Sequence, residues 1–73
     1  MNIAVPIRQS VFRELQVVQL LGQYTSEDGT LTPGQAGTIV YCHRNGHAFE
    51  VEFSSPAPMV VTLNADEIAA IDE

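Results

Sequence analysis

The chain contains no lysine and no tryptophan, and its only cationic side chains besides histidine are three arginines, Arg8, Arg13 and Arg44. Set against nine carboxylates they leave a formal charge of -6, so the field around the folded body repels phosphates. Binding to DNA or RNA draws its strength from Lys and Arg displacing counterions, and three dispersed arginines build no basic groove. Nucleic acid is set aside as a partner, and a cationic protein is the electrostatically favoured one. A single cysteine, Cys42, rules out an internal disulfide. No N-terminal stretch combines basic residues, an apolar run and a small-residue cleavage site, so the expectation is a reducing, cytoplasmic setting. The apolar runs are a handful of residues long, far below the roughly 20 that a membrane span requires.

What is present reads as a small globular protein. Hydrophobic residues make up 45% and charged residues 16% of the 73 positions, a balance that folds rather than one that stays solvated. This length bounds one domain with a thin core, burying about 60% of the unfolded chain's surface. Residues 1–73 are taken as a single unit. Residues 1–13 form an N-terminal arm whose "IAVPI" either pairs at a sheet edge or stays flexible, and homo-oligomerisation is left open.

Apolar residues come in short bursts between turn formers, the pattern of an all-β domain. "LQVVQLL" (Leu15 to Leu21) is the first strand, with a helix capped by Ser10 as the alternative; the β-branched Val17 and Val18 favour the strand. A long polar excursion from Gly22 to Gln35 carries two turn signals, Asp28-Gly29 and Pro33-Gly34, the second suited to a type II turn with Gly34 at positive φ. "AGTIVYCH" and "HAFEVEF" flank Arg44-Asn45-Gly46 as a hairpin, and Phe49, Val51 and Phe53 alternate with Ala48, Glu50 and Glu52. The stiff "SSPAP" connection leads to another strand, "MVVTL" (Met59 to Leu63). "NADEIAAIDE" could open as a helical turn capped by Asn64, with Ile68 and Ile71 closing the core, but a terminal helix of about ten residues is marginal alone, so a single 3₁₀ turn and a short last strand are preferred. Together these elements predict an all-β fold: a small SH3-like, partly open five-stranded barrel with a short 3₁₀ turn before the last strand.

The order "LQVVQLL", "PGQAGTIV", "GHAFEVEF", "VTLNADEIAAI" resembles a family of short bacterial proteins known only as domain of unknown function 4926. Gly34, Gly37, Thr38, Ile39, Val40, Phe49, Glu50, Val51, Glu52 and Phe53 match its pattern, and the resemblance runs from about Glu14 to Ile71. It implies an SH3-like fold and assigns no catalytic residue. The hairpin tip and the "SSPAPM" connection depart from the pattern. "GTIV" is also loosely similar to a strand of small barrels that bind ribosomal RNA, but the cations of such a surface are missing.

Two hairpin registers are open. A two-residue Asn45-Gly46 turn pairs Cys42 with Phe49 and Val40 with Val51, sending Cys42 inward. A three-residue loop pairs Tyr41 with Phe49 and Ile39 with Val51, sending Cys42 outward, since a one-residue slip flips every side chain. The first is preferred, because the family resemblance places polar residues at Tyr41 and apolar ones at Val40 and Cys42. Cys42, His43 and His47 are the metal-ligand types present, but adjacent strand residues face opposite sides and no further Cys or His completes four ligands. A thiol enzyme would need Cys42 ionised by an imidazole on the same face, and His43 lies on the other. No catalytic, cofactor or metal site is assigned. Glu50 and Glu52 lie about 7 Å apart on one strand face, and with Ile39 and Tyr41 they form a mixed apolar and acidic outer surface suited to protein recognition. Tyr24, beside the acidic tip Ser26 to Asp28, is a second candidate. The function expected is a non-catalytic protein-binding module, an accessory or an antitoxin-like or immunity-like partner of a more basic protein; the alternative is a nucleic-acid-binding small barrel.

Overall fold

The computed structural model of the protein describes residues 12–71. Seven strands and one 3₁₀ turn follow in order: β1 (Val17–Leu20), β2 (Tyr24–Ser26), β3 (Gly29–Leu31), β4 (Ala36–Cys42), β5 (Ala48–Phe53), β6 (Met59–Asn64), the 3₁₀ turn Ala65–Glu67, and β7 (Ile68–Ala70). Five strands form one antiparallel sheet in the order β6-β5-β4-β1-β7, and β2 and β3 form a separate two-stranded hairpin. This is the SH3-like arrangement, with the barrel left unclosed. The "IAVPI" arm lies outside the described residues.

β1 is a strand because Val18 and Leu20 turn into the core while Val17 stays exposed, and β-branched side chains fit a pleated surface better than a helix. The polar excursion after it is more ordered than a loop. Ser26 pairs with Gly29 around a two-residue turn, Glu27-Asp28, and Leu31 carries the hairpin's apolar contribution into the core. Three-residue strands this polar leave little periodic signal, which is why they read as loop. The excursion closes as its second turn signal foretells: the Gln35 N–H donates to the Thr32 carbonyl, with Gly34 at φ 90°. Gly34 and Gln35 then bond to Leu20, returning the chain to the end of β1.

The core is Val18, Leu20, Leu31, Ile39, Phe49, Val51, Phe53, Met59, Val61, Leu63 and Ile68. Phe12 closes one end, its ring edge-on to Phe49 with centroids 5.4 Å apart. At Gly37 of β4 the core comes so close that a Cβ would lie 2.8 Å from both Val51 Cγ1 and Phe53 Cε2. The glycine of "GTIV" is therefore a packing requirement. After β6 the Glu67 carboxylate accepts the Asn64 N–H at 2.7 Å, which closes the 3₁₀ turn and delivers Ile68 to the core. Ile71 is only half-buried.

The β4–β5 ladder corrects the register expected from sequence. Cys42 pairs with Phe49 and Tyr41 with Glu50, but beyond them Ile39 pairs with Val51 and Thr38 with Glu52. Each of the two registers holds over half the ladder, and a β-bulge at Val40 joins them. The cause is parity: Gly37 and Ile39 must face the core, Cys42 packs against it too, and a strict period of two cannot place both Ile39 and Cys42 inward. One extra residue absorbs the mismatch. Ile39 is accordingly 0% exposed and Val40 is 40% exposed, the reverse of the expected orientation. At the tip the Gly46 N–H donates to the His43 carbonyl, so residues 44–47 form the loop rather than a two-residue turn.

Candidate binding face

The outer surface of the five-stranded sheet is built by register. Glu50 stands between Tyr41 on β4 and Thr62 on β6, and Glu52 stands between Thr38 and Val60. On the next strand Val17 faces Thr38. Tyr41 is 47% and Val60 55% exposed. Of the sequence candidates, Tyr41, Glu50 and Glu52 thus share one face. Ile39 does not, because the bulge turns it into the core. Tyr24 lies in the β2–β3 hairpin, half-buried against the core, and so belongs to a different surface.

The upper half of the face, toward the hairpin tip, is bonded to itself. His43 Nε2 donates to Glu50 Oε2 at 2.6 Å, and the Thr62 hydroxyl lies 2.8 Å from both carboxylate oxygens. The Tyr41 and His43 rings meet edge to face with centroids 5.1 Å apart. These contacts lower the Glu50 pKa: the hydrogen bond from His43 contributes most, that from Thr62 next, and partial burial opposes them. His43, weighed from sequence as a metal ligand and as a base for Cys42, is instead the partner of this carboxylate. Thr62 and Val60 were not singled out in the sequence, although the alternation of "MVVTLN" puts both on the outward face.

The lower half is open. Among the described residues the Glu52 carboxylate has no ion-pair or hydrogen-bond partner. It borders a shallow depression of about 210 Å³ lined by Val17, Ala36, Gly37, Thr38, Phe53, Ser54 and Pro58. A second depression, of about 310 Å³, lies at the hairpin tip and is walled by His47, Asn64, Ala65 and Asp66.

Cys42 is half-buried, and its Sγ points to the Phe12 carbonyl at 3.8 Å. Burial first and the Glu14 charge second push its thiol up, away from the thiolate that a nucleophile requires. No group of three or more His, Cys, Asp or Glu among the described residues is placed to hold a metal ion, and no helix among them is long and apolar enough to cross a membrane.

An open, five-stranded SH3-like body with a mixed apolar and acidic sheet face is thus the class of protein defined by fold and surface. The chain belongs to the family described as Domain of unknown function (DUF4926), whose model matches residues 14–70. That span includes all of β1 to β7. No curated protein and no solved structure matches the chain significantly.

Proposed function

We propose that the protein is a non-catalytic, cytoplasmic binding module that docks a more basic protein on the outer face of β4, β5 and β6. The observation that carries this reading is the coexistence on that face of exposed Val40, Tyr41 and Val60 with a carboxylate, Glu52, that has no cation beside it among the described residues. Apolar anchors rimmed by charge are the make-up of recognition surfaces. The formal charge of -6 gives a basic partner long-range attraction and faster encounter. An accessory of the antitoxin or immunity kind fits this description in size and charge.

Leu15 supports the same reading. It is the third residue of a turn closed by the Gln16 N–H and the Arg13 carbonyl, and it sits at φ 71°, a place where glycine is favoured. Its N–H bonds to the Ile39 carbonyl, which sets it beside the bulge, and it is 78% exposed. A leucine held in a costly backbone region with its side chain in water gains nothing from the described residues, and the proposed partner would give it a contact.

The test is capture from native cell extract at near-physiological salt, comparing wild type with Val60→Glu. A basic protein retained by the wild type and lost from the variant is the expected outcome. Retention of the same proteins by both removes the face from the account, and a saturable shift of an oligonucleotide would favour the nucleic-acid reading instead.

A further inference from the structure

The depression beside Glu52 has the chemistry of a side-chain seat. Its rim carries one carboxylate, and Thr38 and Ser54 add hydroxyl-bearing residues. Among the described residues none of these three side chains is engaged in a hydrogen bond. Val17 and Pro58 supply apolar walls, and Val60 stands exposed across from Glu52. The described arginines lie elsewhere, Arg13 in the turn before β1 and Arg44 in the hairpin tip. The same strand shows what a satisfied carboxylate looks like here: Glu50, two residues away, is held by His43 and Thr62.

We infer that this depression seats a single arginine side chain of the partner protein, its guanidinium on Glu52 and its methylene stem along Val17 and Pro58. The inference rests on the docking face proposed above and names what that face reads. A guanidinium is planar and more weakly hydrated than an ammonium; it binds a carboxylate through two parallel N–H groups and has further donors left for Thr38 and Ser54. A lysine ammonium is a hydrated point charge without that fork. The stem of an arginine covers apolar surface while its head stays polar, which matches a depression with apolar walls and an acidic rim.

The test is an NMR titration of the protein's amides with N-acetyl-arginine methylamide, with the matching lysine derivative at equal ionic strength. The expected result is a set of shifts concentrated at Val17, Thr38, Glu52 and Ser54, saturating on the order of 10 mM. They should be several-fold weaker with the lysine derivative, lost in Glu52→Gln and kept in Glu50→Gln. No saturable shift, shifts spread equally over Glu27, Asp28, Asp66 and Glu67, equal responses to both probes, or an unchanged response in Glu52→Gln would each overturn the arginine seat. The wider face is decided separately: a partner lost from Val60→Glu but still captured by Glu52→Gln leaves the docking face standing and removes only the seat.

Discussion

Glu50 and Glu52 lie on one strand with one residue between them and face the same way, yet their surroundings have nothing in common. Glu50 is enclosed by His43 and Thr62, whereas Glu52 has no such partner among the described residues and borders a depression. The Val40 bulge separates the two environments, since the ladder register changes between Ile39 and Tyr41. Above it Glu50 is bonded within the chain; below it Glu52, Thr38 and Ser54 have no side-chain partner among the described residues. Alternation of acids along a strand therefore says nothing about their roles until the cross-strand neighbours are known.

The sharpest way to break this comparison is at the bulge, where two adjacent aliphatic residues have opposite surroundings. Ile39→Ala should destabilise by about 2–5 kcal/mol, the cost of a cavity in a packed core, while Val40→Ala should stay within about 0.5 kcal/mol, as exposed substitutions do. Urea denaturation of both variants checks this, and similar losses would mean that the bulge is misplaced. Next in size is Gly37→Ala, for which the added methyl collides with Val51 and Phe53. Overpacking of this kind costs about 1–3 kcal/mol, and a midpoint equal to wild type would show that β4 can move away from the core.

The architecture is largely legible in the sequence, because β5 alternates cleanly and Pro33-Gly34 and Asn64 mark boundaries through local chemistry. The bulge is not. Ile39, Val40, Tyr41 and Cys42 form an unbroken apolar run, which carries no parity, so neither uniform register could be rejected from sequence. That ambiguity placed Ile39 on the binding face and Val40 in the core. The β2–β3 hairpin was hidden for a different reason: its strands contribute one fully buried residue, Leu31, too few to set a period. Tyr41, Glu50 and Glu52 were found together because their positions follow from the part of the register that holds. Their division into a bonded and an unbonded half needed β6, whose Thr62 and Val60 pair with Glu50 and Glu52.

A smaller effect sharpens the upper half of the comparison. Because the folded-state pKa of Glu50 is lowered, its contribution to stability is present above the ordinary glutamate value of about 4.3 and is lost as pH falls through the lowered value. Glu50→Gln should cost about 1 kcal/mol near neutral pH, the usual net worth of such a hydrogen bond. The gap between variant and wild type should then close in acid. A gap independent of pH would show that the carboxylate charge is not what His43 and Thr62 hold.

The most direct measurement is the unfolding free energy of Glu50→Gln and Glu52→Gln side by side near neutral pH. The account predicts a clear loss for the first and a change within about 0.5 kcal/mol for the second, as expected of a carboxylate that the fold does not use. Equal losses in the two variants would contradict it, because Glu52 would then be part of the chain's own structure rather than a group left free for a partner.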